Sequence, residues 1–157
     1  MEEIRKIMVA LAFSEFSGDI FTFAANLAVK LKAELTVVSI INIRYVEAIS
    51  SIESMGYSVS SEDYVQGIKE ERRALLERMI ADVPIPVEKM NVVIRVGHPF
   101  EQIMQIIAEE KADLVVMGSK AGKDPSYIPV GAIAEKVFRH SPVPVVSYRT
   151  REMISSS

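Results

Sequence analysis

Cysteine is absent from the 157 residues. That excludes disulfides, thiolate metal sites and thiol nucleophiles together, and it suits a reducing compartment. Histidine is scarce, with only His98 and His140. Neither stands among acidic neighbours that would complete a zinc site. His98, directly before Pro99, is expected to cap a helix, and His140 to sit at a helix C-terminus, where a cation favours the dipole. Basic blocks are missing too. The 18 Lys and Arg are scattered against 21 Asp and Glu, for a net charge of −3, so neither nucleic acid nor an anionic membrane is an expected partner. No stretch approaches the roughly 20 apolar residues of a membrane span. The short apolar run ending near Phe13 does not make a secretory leader, and a cytoplasmic location is expected. Internal repeats and low-complexity blocks are also lacking.

What is present is an ordinary globular composition, 49% hydrophobic and 25% charged, in a chain long enough to bury one proper core. A single domain over residues 1–149 is expected, with a flexible tail at 150–157. Ile4–Leu11, "IRKIMVAL", reads as a buried strand. In the "IFTFAANLAVKLKA" that follows, Phe23, Leu27 and Leu31 recur at helical spacing, and Ser14 or Ser17 is a candidate cap. Glu34–Ile41 is a second β-branched run. Residues 42–60 look irregular and are expected to form a mobile excursion, with Ile49 and Ile52 at most in a short helix. Ser60 or Ser61 then caps a long helix to about Asp82. Its apolar stripe runs through Tyr64, Ile68, Leu75, Leu76, Met79 and Ile80, and its charged Lys69–Arg73 run reads as a solvated face.

Pro84 and Pro86 end that helix. Asn91–Val96 is a third strand and Gly97 a turn. Pro99 opens a helix whose inward face carries Phe100, Ile103, Met104 and Ile107. Asp113–Met117 is a fourth strand, Gly131–His140 a last helix and Val143–Tyr148 a fifth strand. The alternation specifies an α/β fold, an open five-stranded parallel sheet with helices on both faces. The continuous apolar strands agree, because such strands are buried on two sides.

In a doubly wound sheet of order 3-2-1-4-5, a ligand collects where strand order reverses, outside the carboxyl ends of strands one and four. Leu11–Ser14, Ser39–Asn42 and Gly118–Gly122 lie there. The helix beginning at Gly131 brings unpaired N–H groups suited to an anion, and Lys120 and Lys123 are loop cations that can meet phosphate. "GSKAGKD" is not a Walker A loop: three residues instead of four separate Gly118 from Gly122, and Asp124 stands where Ser or Thr would hold magnesium. A GxGxxG fingerprint after the first strand is absent. Ser14-Glu15 lacks a histidine relay and reads as helix capping.

The text "GSKAGKDPSYIPVGAIAEKVFRHSPVPVVSY" resembles the universal stress protein family, whose nucleotide-binding members show G-x2-G-x9-G-[ST] after strand four. "RKIMVALAFSE" is similar to the family's opening strand and turn, and "VGHPFEQIMQIIAEEKADLVVMGS" to its third and fourth strands with the helix between. The resemblance implies a Rossmann-like fold of the adenine nucleotide alpha hydrolase type, usually a homodimer joined through the last strand, here 143–148. It further implies ATP or another adenine nucleotide as ligand, held around Leu11, Ala12, Ile40, Met117, Gly118, Lys120, Ala121, Gly122, Gly131, Ala132 and Ile133. Three positions depart from the nucleotide-binding pattern. Ala12 stands where a carboxylate is common, Ala121 replaces the second glycine, and Ala132 replaces the hydroxyl residue. The changes at Ala121 and Ala132 each cost on the order of 1 kcal/mol, and Ala12 removes a carboxylate that would help hold the nucleoside.

Three functions remain open at this level. The first is a non-enzymatic stress-response module with weak or altered adenine-nucleotide binding. The second is a dimeric protein-interaction module that binds no ATP, its client unspecified. The third, ranked last, is a slow nucleotide hydrolase. No catalytic residue and no metal ligand is assigned.

Overall fold

The computed structural model describes residues 3–118 and 130–149. Five parallel strands lie in the order β3-β2-β1-β4-β5: β1 Lys6–Ala10, β2 Glu34–Asn42, β3 Met90–Gly97, β4 Leu114–Gly118 and β5 Val145–Tyr148. The expected topology is the observed one. The first and last strands are shorter than their apolar runs, since Ile4 and Arg5 precede the ladder and Val143 and Pro144 precede β5. Pro144 contributes only its carbonyl, which accepts from Val115 N at 3.0 Å.

β1 pairs with β2 from Lys6↔Glu34 to Ala10↔Val38 and with β4 from Ile7↔Leu114 to Ala10↔Met117. Its side chains alternate between two cores. Ile7 and Val9 face one core with Leu35, Val37, Leu114 and Val116. Met8 faces the other with Val38, Val115 and Met117. Helices α1 (Ser17–Leu31) and α3 (Ser61–Ile80) cover the first face through Ile20, Phe21, Ala24, Ala28 and Leu76. Helices α4 (Pro99–Glu110) and α5 (Val130–His140) cover the second through Ile103, Ile106, Ile107, Ala134 and Val137. Phe21 is fully buried, which contributes about 1.5–3 kcal/mol over an exposed ring.

The amino ends of the strands are tied shut. The Asp113 carboxylate accepts from Arg5 N at 2.9 Å and Lys6 N at 3.0 Å, while Glu34 N donates to Arg5 O and Asp113 N to Lys6 O, both at 2.8 Å. The opposite ends splay, because β2 continues to Asn42 beside β3 after β1 has left the ladder at Ala10.

Several local expectations are corrected. Residues 42–60 hold helix α2, Ile43–Ser54, whose cap is Asn42: its Oδ1 accepts from Arg44 N at 3.0 Å. An asparagine ending a strand doubles here as the start of the next helix. That helix fully buries no residue, but Ile43, Val46 and Ile49 recur at helical spacing and are half-buried, a stripe that the serines and Gly56 around it obscured. Ser14 and Ser17 do not cap α1. The N-cap is Phe16, without a side-chain cap bond. Ser17 Oγ accepts from Ser14 N at 2.9 Å and Ser14 Oγ from Phe16 N at 3.3 Å, so both hydroxyls brace the preceding turn. Ser60 caps α3 as expected, accepting from Asp63 N at 3.2 Å. His98 holds the N-cap position of α4 but caps through its backbone carbonyl, which accepts from Gln102 N at 3.0 Å, and its ring makes no cap bond. Phe100 and Met104 are only partly buried, and Ile106, outside the expected stripe, is fully buried.

Helix α1 ends on Lys32 in the left-handed conformation, φ 55°, and α4 on Lys111, φ 54°. Glycine is the residue that adopts this geometry without a Cβ penalty. Lys32 is exposed, so Lys32→Gly is expected to stabilise the protein by about 0.5–1 kcal/mol. Urea denaturation at equilibrium checks this; an unchanged or lower midpoint contradicts it.

Candidate functional site

The open end of the sheet is built by three chain exits. After Ala10 the chain leaves β1 through Leu11, whose N–H still bonds Val38 O at 2.9 Å, then Ala12 and Phe13. Phe13 has φ 55°, a left-handed turn unusual for an aromatic residue and worth about 1–2 kcal/mol of local strain. β2 overhangs this exit by Ser39–Asn42, which face β3 but have no β1 partner. β4 ends in buried Gly118, beside Tyr148 of β5.

The expected site residues divide as follows. Met117 is buried in the core beneath α4 and α5, and Ile40 and Ile133 pack partly buried against that same cluster, so these three are brought together. Leu11 is buried on the other side of the sheet, with Phe16 and Phe21, and serves the core. Ala12 is exposed at the lip of the opening. Gly118 ends its strand, while half-buried Gly131 and exposed Ala132 lie in the first turn of α5. Lys120, Ala121 and Gly122 lie outside the described residues, as do Lys123 and the tail from 150 on.

One residue of this end escaped the sequence reading. Arg72 belongs to the charged run expected to form a solvated face of α3, yet it turns inward. Its Nη1 donates to Ser39 Oγ at 2.7 Å and to Ile40 O at 3.2 Å. The guanidinium carbon stands 5.5 Å from the centroid of the Phe13 ring, within cation–π range. Burial pulls its pKa below the usual arginine value, partly opposed by the fields of Tyr64 and Glu71. A signal for this was present: Ile68, Arg72, Leu76 and Ile80 recur every four residues, so Arg72 falls on the inward stripe of its own helix.

A second ionic contact among the described residues stands beside the β2 overhang, where Arg95 is the register partner of Ile40. Arg95 and Glu109 form a two-pronged pair joining β3 to α4. Their mutual hydrogen bond raises the pKa of Arg95 and lowers that of Glu109. Among the described residues there is no cluster of His, Cys, Asp and Glu able to hold a metal ion, and no helix is long and apolar enough to cross a membrane.

The sequence model of the universal stress protein family matches residues 3–149. The chain belongs to the universal stress protein family. Universal stress protein MJ0531 of Methanocaldococcus jannaschii is 27% identical over 150 residues, covering 94% of this chain and 85% of that protein. The solved structure of protein MJ0577, from the same organism, superposes with a TM-score of 0.71 at 22% identity, over 96% of this chain and 99% of that one. A universal stress protein of Archaeoglobus fulgidus, solved in complex with dAMP, gives 0.59 at 17% identity, over 94% of this chain and 100% of its own. At such identities these structural likenesses carry the fold, and the family membership rests on the sequence match.

Within this universal stress protein fold the Arg72–Ser39 contact links α3 to the overhang of β2. Ser39 is 2% exposed. Ser39→Ala is expected to cost about 1.5 kcal/mol, the lower end of the range for a hydrogen bond to a charged group because Arg72 keeps some solvent. It is also expected to speed amide exchange in β2 beyond Val38. Denaturant titration and hydrogen exchange measure both, and wild-type exchange at Ile40–Asn42 contradicts the contact's role.

Proposed function

We propose that this protein is a non-enzymatic regulatory member of the universal stress protein family that binds adenine nucleotides weakly at the carboxyl ends of β1, β2 and β4. The observation that carries this reading is the open end of the sheet. Gly118 leaves β4 there, the first turn of α5 presents Gly131, and partly buried Ile40 and Ile133, packed over the core that holds Met117, supply apolar surface. Backbone N–H groups in a helix's first turn attract phosphate whatever the side chains, and apolar surface suits a base. The relative solved with dAMP supports an adenine nucleotide as the ligand class. Ala12, Ala121 and Ala132 support weak binding, since the carboxylate, second glycine and hydroxyl of the family pattern are missing from this chain.

Calorimetric titration with ATP, AMP and cyclic AMP is expected to give dissociation constants in the high-micromolar to millimolar range. Gly131→Val is expected to abolish the heat. Restoring the pattern with Ala12→Asp, Ala121→Gly and Ala132→Ser together is expected to tighten binding tenfold or more, at about 1.4 kcal/mol per tenfold. No heat with any nucleotide at millimolar concentration, in the wild type and the restored variant alike, sinks this reading. Magnesium-dependent phosphate release that Gly131→Val removes would overturn the non-enzymatic part.

A second reading, a dimeric interaction module, draws on a separate feature. β5 is a half-buried edge strand, and Phe138, Val143, Pro144, Val145 and Ser147 line an open groove along it. Phe138 is 40% exposed, and Ser147 Oγ is buried without a hydrogen-bond partner. An apolar edge of this kind favours pairing with a second copy. Sedimentation is expected to show a dimer, with Phe138→Glu weakening self-association at least tenfold while circular dichroism stays unchanged. A wild-type monomer at tens of micromolar would contradict it.

A further inference from the structure

Arg72 holds a charge with no ion-pair partner among the described residues. Only Nη1 of its guanidinium is engaged, on the Ser39 hydroxyl and the Ile40 carbonyl. Nε and Nη2 have no partner among the described residues. Glu71 and Tyr64 favour the charged form of Arg72 through their fields, but Glu71 is exposed, and no described carboxylate lies within ion-pair distance of the guanidinium. Nε and Nη2 are open to solvent, so an anion can reach them without displacing a protein partner. Here the fork is oriented by one short bond and the Phe13 ring, with two nitrogens left over. Exposed Ala12, beside Phe13, adds no charge to oppose an incoming anion.

We propose that Arg72, oriented by Ser39 and Phe13, forms a phosphate-binding subsite at the carboxyl end of β2, separate from the anion position at the first turn of α5. This rests on the reading that the open end of the sheet is a nucleotide site, and it narrows the ligand class. β2 lies two strands from β4 in the sheet, and Arg72 and Phe13 belong to the face covered by α1 and α3 while α5 covers the other, so one phosphate cannot meet both positions. The ligand that satisfies both is an adenine nucleotide carrying a second phosphate on its ribose hydroxyls. The planar fork of arginine suits a phosphate's paired oxygens, which a lysine would meet only as a point charge.

The test uses the full chain and two readouts. In the first, the Arg72 Nε–Hε signal, assigned by its loss in Arg72→Lys, is followed by NMR during titration with inorganic phosphate, adenosine, AMP and the adenosine bisphosphates phosphorylated at either ribose hydroxyl. It is expected to shift with inorganic phosphate and with at least one bisphosphate, and to stay in place with adenosine. In the second, calorimetry is expected to show that bisphosphate binding at least tenfold tighter than AMP, with the preference lost in Arg72→Ala and reduced in Arg72→Lys. An Arg72 signal unmoved by phosphate and both bisphosphates overturns the subsite, and so does a preference that survives in Arg72→Ala. AMP binding tightened by Arg72→Ala overturns it as well, making Arg72 a plug of the site. Should Arg72→Ala fail to fold, the wild-type signal and Arg72→Lys decide. Failure of the nucleotide reading itself looks different: no nucleotide binds, while inorganic phosphate still moves the Arg72 signal.

Discussion

Everything in this molecule depends on β1 being hydrogen-bonded on both edges and covered on both faces. Ile7, Met8 and Val9 are fully buried, and the strand pairs with β2 on one side and β4 on the other. A strand so placed must be apolar on every residue, and its sheet needs helices above and below. Two consequences follow. The crossovers from β1 to β2 and from β4 to β5 run in opposite directions across the sheet, and a crevice opens between them at the carboxyl ends. The amino ends are meanwhile closed by the Asp113 carboxylate and its neighbouring backbone bonds.

The crevice is lined differently on its two sides. Toward α4 and α5 Ile40 and Ile133 pack over buried Met117, with the Arg95–Glu109 pair beside Ile40. Toward α3 it is cationic, because Arg72 crosses to the overhang of β2 and stands over Phe13. Phe13 reaches that position through a left-handed turn, and strain of this kind persists only where surrounding contacts hold it. Apolar side chains opposite a held cation are the features on which the proposed nucleotide site rests, and they adjoin exposed Ala12.

The sequence was legible wherever burial imposes a period. Continuous β-branched runs located the five strands, and their alternation with helical stripes gave the parallel order. It was least legible where contacts are exposed or distant. Helix α2 carries a half-buried stripe through Ile43, Val46 and Ile49, but the serines around it read as loop, and its cap Asn42 sits at the end of a strand. Ser14 and Ser17 have the composition of helix caps, but Ser17 is 1% exposed and its hydroxyl is used within the turn. Arg72 was hidden by its neighbours: in a run of charges the solvated assignment is the usual one, although its spacing to Ile68 and Leu76 placed it inward. Part of the resemblance-based site, Lys120, Ala121 and Gly122, lies outside the described residues.

By itself the sequence determined the fold class, the strand order and the family. Each follows from periodic burial or from a motif contiguous in the chain. Only the tertiary structure decided which side chains meet at the carboxyl end of the sheet, because Ser39 and Arg72 are 33 residues apart and the contact exists only once α3 packs beside α1 over the sheet. It likewise decided that Leu11 serves the core and Ala12 the opening, since a left-handed turn at Phe13 sets the direction in which the chain leaves β1.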